Sequence, residues 1–165
     1  MACCAYAEVF KIVMPVERSA GIILFRNTPE GRRYLVLRSA RHESQISETK
    51  TIREFWDFPK GVLEKGETGI AAAKREAKEE TGIDAFELIP DFKETVQYFT
   101  RRDGKPIPKF VAIFLACTGI DTVTLSWEHD RFDWLTFKEA YGRVSLLPMK
   151  KALTAAENFL KAHDD

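Results

Sequence analysis

Cysteine is scarce in this sequence: there are three in 165 residues, Cys3, Cys4 and Cys117. Adjacent cysteines rarely bridge one another and an odd count closes no framework. A disulfide-stapled fold is therefore excluded, and a reducing compartment, the cytoplasm, is expected. Long apolar runs are missing as well. A membrane span needs roughly 18 or more apolar residues in succession, and nothing approaches that. The apolar opening Met1 to Phe10 is short, lacks a basic start and is interrupted by Glu8, unlike a signal peptide. There is no excess of either charge: Lys plus Arg total 25, and so do Asp plus Glu. No whole-molecule field then draws the chain onto nucleic acid or an anionic membrane, and stable partners of either kind are not expected. An anionic ligand has to be held by local charges. Internal repeats, low-complexity tracts and a linker are absent too, which suits one domain over 1–165 with a proper core.

What is present is bulky apolar material, 12 Phe and 3 Trp within a 45% hydrophobic chain. Ser19 to Arg26 and Arg33 to Arg38 are β-rich runs around the turn-type cluster Asn27 to Gly31, which predicts a hairpin. Residues 39–54 are polar and charged and read as a long surface loop. Phe55 to Lys60 reads as a short aromatic strand stopped by Pro59 and Gly61. Thr68 to Thr81 is rich in Ala, Lys and Glu and predicts a helix, with Gly82 at its left-handed cap. Two strands, Phe92 to Arg101 and Phe110 to Thr118, are expected around a basic turn. A last short strand, Asp133 to Thr136, precedes a helix from Phe137, and Pro148 opens a final helix to about Ala162. This order predicts an α/β (α+β) fold, a mixed sheet covered by helices.

The central helix carries Glu76, Glu79 and Glu80, spaced so that they share a face. Converging carboxylates repel unless a cation sits among them, and oxygen ligands of this type suit Mg²⁺ or Mn²⁺, which also bridge phosphates. Taken alone, such a charged run is most often a solvated helix face. Its flanks argue otherwise: Ala71, Ala72, Ala73 and Ala77 make the helix slim, Gly61 and Gly66 bracket the loop before it, and Glu67 stands two turns before Arg75.

The segment Gly61, Glu67, then Arg75-Glu76-Ala77-Lys78-Glu79-Glu80-Thr81-Gly82-Ile83 resembles the Nudix box, G-x5-E-x7-R-E-U-x-E-E-x-G-U with U apolar, at every fixed position. The resemblance implies the Nudix fold, an α/β/α sandwich with a mixed β-sheet and a catalytic loop–helix–loop. It also implies cleavage of a nucleoside diphosphate from a linked group, with divalent ions, more than one once substrate is bound. By the same resemblance Glu76, Glu79 and Glu80 are metal ligands or base, the Gly61 carbonyl is a further ligand, and Arg75 with Glu67 forms a supporting ion pair. Which glutamate is the base stays open.

Outside the box, three features resemble the asymmetric diadenosine tetraphosphate hydrolases within that family. Trp56 to Gly61 resembles their W-x-x-P-K-G entry, in which Lys60 faces the phosphates. Tyr98 and Phe99 stand where such enzymes carry a base-stacking tyrosine. Leu125 to Leu135 resembles L-S-x-E-H-x-x-x-x-W-L, which makes Glu128 a further ligand or base, His129 a hydrogen-bonding or substrate-contacting residue, and Phe132 a stacking ring. Lys109 matches a phosphate-contacting lysine. The 39–54 loop departs from the compact relatives, which carry a His-His pair before the tryptophan; here Phe55 precedes Trp56 and His42 is far upstream. With Arg38, Arg41, Lys50 and Arg53 around it, that loop reads as a candidate basic lid. The Met1 to Glu17 extension has no counterpart. The resemblance thus implies a small nucleotide substrate, with diadenosine tetraphosphate split to ATP and AMP as the leading expectation. The alternatives are a (d)NTP or RNA 5′-end pyrophosphohydrolase, and a non-catalytic nucleotide-sensing module.

Overall fold

The computed structural model describes residues 14–40 and 54–164. Residues 1–13, with Cys3 and Cys4, and residues 41–53, with Arg41, His42, Lys50 and Arg53, lie outside the described residues. In chain order the elements are β1 (Glu17–Thr28), β2 (Gly31–Ser39), β3 (Trp56–Asp57), β4 (Lys60–Val62), α1 (Gly69–Thr81), β5 (Glu87–Leu88), β6 (Glu94–Arg102), β7 (Lys105–Cys117), β8 (His129–Leu135), α2 (Phe137–Arg143) and α3 (Leu147–His163). No helix among the described residues is long and apolar enough to cross a membrane.

β1 is the hub of a mixed sheet. It runs parallel to β7 from Glu17↔Lys109 to Phe25↔Cys117, and antiparallel to β2 at Phe25↔Tyr34 through Thr28↔Gly31. Its first half also takes β4, at Ser19↔Val62 through Gly21↔Lys60. β5 and β6 add to β7, while β3 and β8 add to β2. A strand paired this way is covered on both faces, which is why its run reads as continuously apolar. Successive side chains alternate between two cores. Ala20, Ile22 and Leu24 meet Ala72, Ala73 and Ala77 of α1. Ile23 and Phe25 face the other way, into a core shared with Met149, Leu153 and Ala156 of α3 and Ala140 of α2. The sheet is therefore sandwiched between α1 and the α2–α3 pair, as the sequence leads one to expect.

The helix termini follow local chemistry. The Thr68 side chain accepts from the Ala71 N–H at 3.2 Å, and Gly82, at φ 72°, closes α1 with its N–H on the Lys78 carbonyl at 2.9 Å. Three strand expectations are corrected. Phe55 to Lys60 is two strands, not one: β3 pairs with β2, then the chain crosses at Pro59, whose carbonyl accepts from Ile22 N–H at 3.1 Å, and β4 pairs with β1. β7 begins at Lys105, earlier than expected, despite Pro106 and Pro108. Those prolines precede the β1 pairing, which starts at Lys109, so the missing N–H groups fall on a free edge. β8 begins at His129 instead of Asp133, because its charged residues pair along β2 without needing burial.

Candidate active site

The site starts where β4 hands over to α1. Gly21 on β1 lets the Pro59–Lys60 backbone lie close, since a β-carbon there would overlap it. Gly61 does the same for the helix: a β-carbon at that position would overlap the Glu76 carboxylate. The box therefore needs glycine for room, and the space it leaves is filled by the Glu76 carboxylate.

Arg75 ties the loop to the helix. Its Nε and Nη2 donate to the two Glu67 carboxylate oxygens at 2.9 Å each, and Nη2 also reaches the Val62 carbonyl at 3.1 Å. Nη1 donates to Glu76 at 2.6 Å and to Glu79 at 3.3 Å. Glu67 in turn accepts from the Glu64 N–H at 3.0 Å. The Glu67 hydrogen bonds raise the Arg75 pKa, and Arg75 holds the Glu67 carboxyl below its usual range. A bidentate fork of this kind fixes orientation as well as charge.

Glu80 is almost fully enclosed, and its carboxylate accepts from the Lys60 N–H at 3.0 Å. Burial pushes its pKa up to about 8, with Lys60 opposing and Glu76 and Glu128 adding to the rise. Glu76 is also raised, by burial first, against Arg75 and with Glu79 and Glu128 adding. Burial and mutual repulsion outweigh the countercharge that Arg75 and Lys60 bring, and oxygen donors crowded in this way fit a divalent cation. Glu79 differs from its neighbours: its side chain is 57% exposed and lies beside Arg75.

Glu128 arrives from the other side. It sits in the turn Ser126 to His129, closed by the His129 N–H on the Ser126 carbonyl at 3.2 Å. The Thr124 N–H bonds the Thr81 carbonyl at 2.8 Å, which fastens this loop to the end of α1, and the Ala40 N–H bonds the Glu128 carbonyl at 2.8 Å. Ligand atoms of Glu80, Glu128 and His129 all lie within 4.8 Å of one another. Burial lowers the His129 pKa, with Glu128 opposing, so its imidazole is neutral near pH 7.

Lys60 lies under the carboxylates with its Nζ 3.1 Å from Asp57, an aspartate only 4% exposed. Burial alone would lower the Lys60 pKa, but Asp57 more than compensates and the ammonium stays charged. Sequence reasoning missed Asp57; its spacing of three from Lys60 was the available signal. Tyr98 turns inward, where burial raises its phenol and Lys60 counters. Phe99, next along β6, points out and is 71% exposed. Phe132 packs partly buried against the α1-side core. Lys109 is engaged with Glu17 at 2.7 Å, and Arg38 with Asp130 at 2.7 Å and Glu54 at 2.8 Å. The expected residues thus divide into a group gathered around Glu80 and Arg75, a group held in ion pairs or packing, and Phe99, which is exposed.

A family model described as the NUDIX domain matches residues 15–158. Over 149 residues the chain is 32% identical to the asymmetrical bis(5′-nucleosyl)-tetraphosphatase of Mus musculus, covering 87% of this chain and 95% of that one. It is 27% identical over 151 residues to an RNA pyrophosphohydrolase of Nitratiruptor sp., covering 86% and 91%. A solved structure of a C. elegans Ap4A hydrolase binary complex superposes with a TM-score of 0.73 at 28% identity, covering 88% and 98%. These likenesses run the length of the fold instead of stopping at the box, and the chain belongs to the Nudix family of hydrolases.

Proposed function

We propose that this hydrolase splits diadenosine tetraphosphate asymmetrically, into ATP and AMP, with Mg²⁺ or Mn²⁺. The observation that supports the reading is the Lys60–Asp57–Tyr98 group, joined to Glu80 through the Lys60 N–H. The Lys60 ammonium interacts with both Glu80 and the Tyr98 ring, which suits a phosphate chain that ends in a base. Similarity to tetraphosphatases along 87% of the chain favours the same substrate class.

In this reading Glu76, Glu79, Glu80, Glu128 and the Gly61 carbonyl hold the ions. Bound there, the ions supply neutralisation of the polyphosphate and a more acidic attacking water. Lys60 holds the phosphates, and Asp57 keeps its ammonium charged and in place. Arg75 and Glu67 set the position of Glu76. Tyr98 receives one adenine. Water attacks a phosphorus, the bond from that phosphorus to the bridging oxygen breaks, and a carboxylate takes the proton. Lys109 and Arg38 reach substrate by exchanging their present carboxylate partners for phosphate.

A second reading, an RNA 5′-end pyrophosphohydrolase, is favoured by the match to such an enzyme over 86% of the chain. Product analysis in ¹⁸O water separates the two. The purified chain with Mg²⁺ is offered diadenosine tetraphosphate, dNTPs, ADP-ribose and 5′-triphosphate RNA. ATP plus AMP as the dominant products supports the first reading. Pyrophosphate released from RNA or mononucleotides, with the dinucleotide untouched, overturns it.

A further inference from the structure

Consecutive residues entering a strand ordinarily point to opposite faces. Glu128 and His129 do not separate in this way: both bring a ligand atom to Glu80, with all three within 4.8 Å of one another. Two local features cause this. The Ser126 to His129 turn curls the chain just before β8. The β2–β8 pairing then shifts register between Arg38 and Ser39, where Ser39 opposes His129. A register irregularity at a sheet end re-aims the side chain beside it. The imidazole delivered there has a buried Nδ1 without a hydrogen-bond partner. Buried polar nitrogens are ordinarily satisfied, so this one is short of a partner.

We propose that His129 is a direct nitrogen ligand, together with the Glu80 and Glu128 carboxylates, of one divalent ion. The inference rests on the metal-dependent reading given above and deepens it. With metal–ligand bonds of about 2.1 Å, atoms on opposite sides of an ion stand about 4.2 Å apart, so a triad within 4.8 Å closes with a small side-chain adjustment. An imidazole among carboxylates also changes which ion is preferred. Carboxylate and water oxygens suit Mg²⁺ and Mn²⁺ alike, whereas an imidazole nitrogen is a better ligand for a transition ion than for Mg²⁺. The position therefore discriminates transition ions, Mn²⁺ among them, from Mg²⁺ within a set of otherwise oxygen ligands.

The full chain is loaded with Mn²⁺ and studied by pulsed electron paramagnetic resonance. The expected result is ¹⁴N modulation from a directly bound imidazole, changed in the predicted manner by ¹⁵N-histidine labelling. The chain has three histidines, so His129→Gln must abolish the coupling while His42→Gln retains it. His129→Gln should also weaken Mn²⁺ binding by about 10- to 100-fold and Mg²⁺ binding much less. Bound Mn²⁺ without nitrogen coupling in the unaltered protein overturns the inference, with no variant needed. Coupling that survives His129→Gln, or vanishes with His42→Gln, overturns it as well. ATP and AMP production is measured separately, so loss of the nitrogen ligand and loss of the substrate reading are distinct results.

Discussion

The Glu76 carboxylate occupies the space that a β-carbon on Gly61 would need. The obstructing atoms are the free end of a flexible side chain, so Gly61→Ala should displace Glu76 without unfolding β4. A misplacement of this size costs about 100-fold in turnover, while the melting temperature moves little. Steady-state kinetics with a thermal melt decides it; turnover at the unaltered level would show that Glu76 is not needed where it sits.

Glu80→Gln keeps the shape of the most enclosed carboxylate and removes its charge. Loss of a base or ligand there should lower kcat by roughly 10²- to 10⁴-fold with circular dichroism unchanged. Glu79→Gln should also remove most activity. Full turnover in either variant refutes its place in the metal site.

In the proposed reading, ionisation of Glu80 links metal binding to pH. Between its ordinary value of 4.5 and its folded value of about 8, the folded chain keeps a proton that the unfolded chain has released. Stability of the ion-free protein from this group therefore falls as pH rises through that window. A divalent ion replaces the proton, so the gain in melting temperature on adding Mg²⁺ should be larger at about pH 8 than at about pH 6. An equal or smaller gain at the higher pH would contradict the assignment.

Glu67→Gln leaves Arg75 with one carboxylate partner fewer, and the guanidinium then pulls on Glu76. As with other groups that orient a ligand, the expected effect is a loss of about 10- to 100-fold in metal affinity or turnover. Mn²⁺ titration of the variant checks it, and unchanged affinity would make the ion pair purely structural.

Leu153 is wholly buried between α3 and the sheet, away from Glu80. Leu153→Ala should cost about 2–5 kcal/mol in chemical denaturation. Activity per folded molecule should persist, and its loss would mean that α3 shapes the site directly.

The motif and its helix were legible because each part has a local signature: Gly82 as the C-terminal cap, helix-forming alanines, and carboxylates at helical spacing. The β1–β2 hairpin was equally plain from two β-rich runs around a turn-type cluster. What escaped depends on pairing across the chain. β4 and the early start of β8 exist because β1 and β2 supply partners, and charged His129 to Arg131 carry no strand pattern of their own. The separation of Tyr98 from Phe99 needed the pleat to be phased, which neighbouring aromatics cannot do. Lys109 and Arg38 looked available as phosphate contacts until Glu17, Asp130 and Glu54 were seen beside them.

β2 and β3 form a hairpin, with Arg38 opposite Trp56 and the Ser39 N–H on the Phe55 carbonyl at 2.9 Å. The segment between them is thus an insertion whose root is already zipped shut. Chain-closure entropy grows only by about 0.6 kcal/mol for each doubling of length, so the scaffold tolerates this connection being long, short or exchanged. Its first residue, Ala40, is nonetheless bonded to the backbone of Glu128. A graft at this hairpin is therefore cheap for folding yet lands one hydrogen bond from Glu128 of the proposed site. That makes it a natural handle for re-engineering which polyphosphate the enzyme accepts.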